Sequence, residues 1–195
     1  SGIGVDAVQV GGGAAEAGRD GDGLPEVDYY VVHSWHDPPG LKTAALGRWS
    51  ILASTRLGRP PVVWLDACCT DPSLSATQRC AHMPVYVGRA RRLLVLCGPT
   101  LLQRLFCVAE IYCWFAMGGS VADIEFVPLV SDDREIDKIV AHFDAFNAIW
   151  CKATAPQQEE LLVRSVELAE VGRYNELVRD LVDDVARQCV AFYNA

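Results

Sequence analysis

The stretch 93–117, LLVLCGPTLLQRLFCVAEIYCWFAM, constrains the fold more than any other part of the chain. Its first five residues form an unbroken apolar run that Gly98-Pro99 cuts off, the pattern of a strand covered on both faces. Thr100 then stands as an N-cap with Gln103 three residues on, a capping-box spacing that predicts a helix over 101–117. The helix is apolar on nearly every side, so it belongs inside a covered sheet. One carboxylate, Glu110, interrupts it. Its neighbours one turn away are Phe106, Cys107, Cys113 and Trp114, and Arg104 lies on a different face. Burying an unpaired carboxylate is costly, so Glu110 must meet an arginine such as Arg91 or Arg92, water, or a ligand.

Strand and helix patterns alternate around this stretch. VDYYVVH at 27–33 is a β-branched and aromatic strand, and Pro38-Pro39-Gly40 forces a turn after it. A helix follows over 41–57, with Leu41, Ala45, Trp49 and Leu52 on one face and Gly58 closing it. PVVWLD at 61–66 is a second buried strand. A helix over 77–90 contains Pro84, which marks a kink or a later start, and Arg91-Arg92 are placed to cap its end. Gly118-Gly119 break the chain before a fourth strand at 124–130, where Pro128 lacks a ladder donor and so indicates an edge.

The remainder reads as helical. Ile136, Ile139, Val140, Phe143 and Phe146 keep a helical period, and Thr154 with Gln157 repeats the capping spacing, with Pro156 in the first turn, before Leu161, Leu162 and Val166. Gly172 separates that helix from a last one, striped by Tyr174, Leu177, Val178, Leu181, Val182, Val185 and Cys189. The expectation is an α/β fold: a flavodoxin-like parallel sheet of four to five strands, order 2-1-3-4(-5), with helices on both faces and extra C-terminal helices. Residues 1–24 read as a flexible Gly-rich lead-in, 25–132 as the α/β core, and 133–195 as a helical extension packed on it. Ligands of such folds sit beyond the C-terminal strand ends where strand order reverses, which points to the loops at 34–40 and 98–100.

Bulk properties remove several functions. A chain of 195 residues, 51% hydrophobic, suits one domain with a substantial core. A net charge of −8 argues against nucleic acid or an anionic membrane as the main partner. Of the eight cysteines, Cys97, Cys107 and Cys113 sit in apolar runs and Cys68-Cys69 follow one, the pattern of reduced thiols in a cytoplasmic protein. No Cys/His spacing fits a structural zinc site, so no metal is expected. Gly98-Pro99, Arg104 and Glu110 make 93–117 a poor membrane span, and no basic start with an apolar core appears at the N-terminus. Gly11-Gly12-Gly13 suggests a nucleotide loop, but Glu16 stands where a third fingerprint glycine would be, so a linker is the better reading.

Candidate site residues cluster at strand ends. Glu110 is either one half of a buried ion pair or a carboxylate facing the crevice. Ser34, Trp35 and His36 follow the first strand, where loop residues often bind ligands. Trp35 suits stacking on a planar ring, or packing under the loop; His36 suits proton transfer, or plain solvation. His33 reads as a satisfied core histidine. Asp66 caps the next turn or reaches the crevice, with capping favoured. A Ser34/His36/Asp66 triad lacks a nucleophile-elbow pattern around the serine, and Cys68-Cys69 have nothing basic beside them.

Together VVHSWHD, VVWLDACCTD and LLVLCGPTLLQRLFCVAEI resemble a TIR (Toll/interleukin-receptor-like) domain, most closely a divergent branch found in algae and protists. Phe106-Cys107-Val108-Ala109-Glu110-Ile111 is similar to the TIR pattern Trp-Cys-x-x-Glu-Leu, with phenylalanine in place of tryptophan. The resemblance covers about half the chain, 27–130, and its motifs are short. It implies that Glu110 is the catalytic residue of an NAD glycohydrolase, with Ser34, Trp35, His36, Asp66 and Phe106 around the substrate. It requires no cofactor beyond NAD as substrate, and it implies self-association or pairing with other TIR-like domains. Two alternatives stay open: a non-catalytic interaction and signalling scaffold, and a nucleoside deoxyribosyltransferase-like enzyme that also uses a glutamate at a glycosidic carbon. The short loop after the second strand, with its Cys68-Cys69, and the C-terminal helices depart from the TIR pattern and leave the usual self-association surface altered or covered.

Overall fold

The computed structural model describes residues 9–10, 27–152 and 171–195. Apolar runs form the strands β1 (Gln9–Val10), β2 (Val27–Val32), β3 (Val62–Trp64), β4 (Ala90–Cys97) and β5 (Ile124–Pro128). They make one all-parallel sheet in the order β1-β3-β2-β4-β5. The four longer strands therefore hold the flavodoxin-like order expected from the sequence. A two-residue fifth strand stands beside β3 rather than beyond β5, and it comes from the stretch read as lead-in. The helices are α1 (Pro39–Leu57), the short α2 (Asp66–Cys69), α3 (Ala76–Val87), α4 (Leu105–Ala116), α5 (Arg134–Asp144), α6 (Val171–Arg179) and α7 (Val182–Asn194).

Strand periodicity divides the core between the two faces of the sheet. Tyr29, Val31, Leu94 and Leu96 pack under α1 with Ala45, Trp49 and Ala53. Tyr30, Val32, Leu93, Val95 and Cys97 point the other way, into a larger core built with α3 to α7. Full burial of a side chain of Trp49's size contributes roughly 3 kcal/mol. Pro128 does lie on an edge strand, and α7 covers that edge. The Gln188 amide accepts from Phe126 N–H at 3.0 Å and donates to Ile124 O at 3.1 Å, satisfying backbone groups that an open edge would leave to water.

Several expected boundaries move. The helix expected over 101–117 is two pieces. Leu101–Gln103 form a 3₁₀ turn, Arg104 is extended (φ −104°, ψ 114°), and α4 starts at Leu105. Thr100 caps nothing, because its hydroxyl is engaged by Asp37 and Ser34, and the Gln103 amide turns back to Pro99 O. The break is held from outside: Leu105 N–H donates to Lys152 O and Lys152 N–H to Gln103 O. The helix expected over 77–90 runs from Ala76 to Val87 and tolerates Pro84 inside it. Its true cap is Ser75, in a complete capping box with Gln78. Arg91 and Arg92, expected to precede the strand, belong to β4.

Gly118 ends α4 at φ +90°, a conformation that favours glycine. Gly172 lies within α6 rather than before the last helix, and the stripe from Tyr174 to Cys189 is split after Arg179. Gly11-Gly12-Gly13 and the Thr154/Gln157 pattern with Leu161, Leu162 and Val166 lie outside the described residues. No helix among the described residues is long and apolar enough to cross a membrane.

Candidate functional site

Glu110 sits in the middle of α4, facing β2, and is only 3% exposed. Its hydrogen-bond partner among the described residues is neither Arg91 nor Arg92: Tyr30 of β2 donates its hydroxyl to Oε1 at 2.6 Å. Arg92 instead reaches Glu125, which packs with the α1 face of the sheet. Burial, reinforced by the nearby Asp66 charge and only partly offset by the Tyr30 hydrogen bond, holds the Glu110 carboxyl well above the ordinary glutamate range. Its field is felt in turn by neighbouring thiols. Burial first and Glu110 second push the Cys113 thiol up to about 11.

Asp66 does more than cap a turn. It opens α2, and Oδ1 accepts from Ala67 N–H at 2.6 Å; the same carboxylate reaches across to β2. His33 Nε2 lies 2.8 Å from Oδ1, and the Trp35 indole donates to Oδ2 at 2.7 Å. Burial raises the Asp66 carboxyl, but the His33 and Trp35 hydrogen bonds and the Ala67 amide outweigh it and hold it below its usual range. Its side chain keeps 18% of its surface exposed. His33 Nδ1 has no partner among the described residues, so the histidine is only half satisfied. The tautomer that carries its proton on Nε2 and donates to Asp66 strands no N–H.

The loops expected to frame a crevice are laced together instead. Ser34 Oγ lies 2.7 Å from Thr100 Oγ1, and Asp37 Oδ1 accepts from both the Thr100 amide (3.0 Å) and its hydroxyl (2.7 Å). The Asp37 carboxylate packs so closely on Gly98 that a Cβ there would overlap it. His36 is exposed, and its backbone N–H donates to Ser34 Oγ at 3.2 Å. No Ser34/His36/Asp66 relay exists, because the histidine on Asp66 is His33 and the serine belongs to Thr100.

The open pocket, about 330 Å³, stands one strand away from that seam, beyond the ends of β2 and β3. Three of the candidate residues, Trp35, Asp66 and Phe106, line it, together with Tyr30. Ser34, His36 and Glu110 are not in its wall; Glu110 is hydrogen-bonded to Tyr30, which is. Sequence reasoning missed the rest of the wall: Trp64, residues of the 67–74 segment, and from α3 Arg79, His82, Met83 and Tyr86. Tyr86 stacks on Trp64 with ring centroids 3.8 Å apart. The capping box at Ser75–Gln78 was the available signal, since it sets the phase of α3 and hence which of its side chains face the sheet. Arg79 Nε donates to Leu74 O at 3.1 Å, which fixes the guanidinium plane. The pocket thus combines flat aromatic walls, one buried-edge carboxylate and one cation.

None of the eight cysteines is in a disulfide, and no group of His, Cys, Asp and Glu among the described residues is arranged to hold a metal ion. No known family model matches the sequence, and no curated protein matches it.

Proposed function

We propose that the chain is a TIR-like NAD glycohydrolase that cleaves the nicotinamide–ribose bond in the Trp35–Asp66–Tyr86 pocket. The observation that carries this reading is an aromatic-walled cavity at the C-terminal rim of a flavodoxin-like sheet. One carboxylate, Asp66, lies in its wall, and a second, Glu110, stands one side chain behind it. Ligands of parallel α/β sheets sit at that rim. Trp35, Trp64 and Tyr86 suit a planar pyridinium, Asp66 suits ribose hydroxyls, and Arg79 suits a phosphate.

In the reaction the C1′–N bond breaks and its electron pair stays on nitrogen, so the pyridinium leaves as neutral nicotinamide. The sugar passes through an oxocarbenium-like state that carboxylates stabilise. Water then adds to C1′ and releases a proton, giving ADP-ribose. A water-poor pocket strengthens the attraction between carboxylate and cation. Purified protein should consume NAD, and Glu110→Ala should reduce turnover about a hundredfold, the scale for losing one preorganised polar group. NAD consumption that survives this change would refute the role of Glu110.

A second reading, a non-catalytic TIR-type interaction scaffold, draws on the burial of Glu110 behind Tyr30, which also fits a purely structural glutamate. Under it, NAD and ADP-ribose leave the melting temperature unmoved and the protein associates with rising concentration; a ligand that binds the folded state would raise that temperature.

A further inference from the structure

Resting on the hydrolase reading, we infer that Asp66 is the carboxylate that meets the reacting sugar, and that Glu110 is a positioning residue acting through Tyr30. The geometry separates the two acids. Asp66 belongs to the pocket wall; Glu110 does not, and it is joined to the wall through the hydroxyl of Tyr30, which lines the cavity.

Their hydrogen bonding separates them further. Asp66 is held from three sides by His33, Trp35 and the Ala67 amide, which fixes both oxygens in place without covering its exposed edge. Each carboxylate oxygen has two acceptor sites, so Oδ2, bonded among the described residues to Trp35 alone, keeps room for a sugar hydroxyl. His33 Nε2 and the Trp35 indole both address the Asp66 carboxylate, which keeps its negative charge to set against a developing oxocarbenium. Trp35, bonded to Asp66 and 62% exposed, stands at the pocket mouth, where a planar leaving group would lie against it.

Glu110 holds the Tyr30 hydroxyl by its 2.6 Å hydrogen bond and so fixes the ring that floors the pocket. Any acceptor of the same size serves that purpose. Glutamine is such an acceptor and alanine is not, so Glu110→Gln should rescue what Glu110→Ala loses.

The test is steady-state NAD hydrolysis by the full chain and three variants, with ADP-ribose inhibition as a measure of binding. Asp66→Asn should lower kcat about a hundredfold while inhibition by ADP-ribose changes less than about threefold. Glu110→Ala should lose activity and Glu110→Gln should keep kcat within about tenfold of the parent. An Asp66→Asn protein with near-parental kcat overturns the assignment. So does a hundredfold loss in Glu110→Gln, and that single result decides the matter even where Asp66→Asn fails to fold. A parent protein that consumes no NAD overturns the hydrolase reading and this assignment together, whereas either variant result overturns this assignment alone.

Discussion

Two glutamates approach the same sheet from its two sides and are treated in opposite ways. Glu125 of β5 packs with the α1 face and accepts from Tyr29 (2.8 Å), Trp49 (2.9 Å), Arg56 (2.7 Å) and Arg92 (3.2 Å). Burial raises its carboxyl, but those donors outweigh burial and hold it below the ordinary range. Glu110 of α4, on the other face, has among the described residues the Tyr30 hydroxyl alone and is held well above that range. Glu110 is buried and Glu125 half-buried, and the number of donors separates them further. A buried carboxylate served by many donors is part of the scaffold, whereas one left with a single donor beside a cavity marks a place where stability has been given up. On this criterion the α1 face is structural, and the α3–α4 face carries the site.

The contrast breaks most visibly at Glu125. Glu125→Ala removes the acceptor of two buried donors, Tyr29 and Trp49, and should cost about 3 kcal/mol in chemical denaturation. A loss below roughly 1 kcal/mol would show that the four-donor cluster is not a stabilising centre. The pH dependence sharpens the comparison. The folded-state pKa of Glu110 lies above the ordinary value of 4.5, so its contribution to stability is complete below about pH 4.5 and fades as pH rises toward the folded value. Glu110→Gln keeps the hydrogen bond and removes this titration. Its stability relative to the parent should therefore grow with pH above about 4.5, by at most about 1.4 kcal/mol per pH unit. A difference that is flat from pH 5 to 8 would place Glu110 in a wetter setting than the structure gives it. For Glu125, whose folded pKa is lowered, the sign reverses: its contribution is present above the ordinary value and is lost as pH falls through the folded one. Smallest is Tyr30→Phe, which deletes one hydroxyl and should cost about 1 kcal/mol by thermal denaturation.

Much of the fold was legible because its signals are local. The apolar runs of β2 and β4, the glycine after α4 and the proline on the edge strand each act through neighbours a few residues away. The isolation of Glu110 was legible for the same reason, since no residue one turn away can pair with it. Its actual partner, 80 positions earlier, was not. The Thr100–Gln103 capping pattern failed because tertiary contacts claimed both side chains, Thr100 by Asp37 and Gln103 by Pro99. The pocket lies one strand from the expected crevice because Asp37, Thr100 and Ser34 close that seam. No spacing rule reveals such a closure, since it depends on two loops more than 60 residues apart meeting at hydrogen-bond distance.

The amide of Gln188 has a consequence for assembly. By occupying an N–H and a C=O of β5, it plays the part of the strand that would otherwise come next. A foreign strand seeking to extend the sheet there would first have to peel α7 away, so copies of this protein that meet do not do so by sharing this rim.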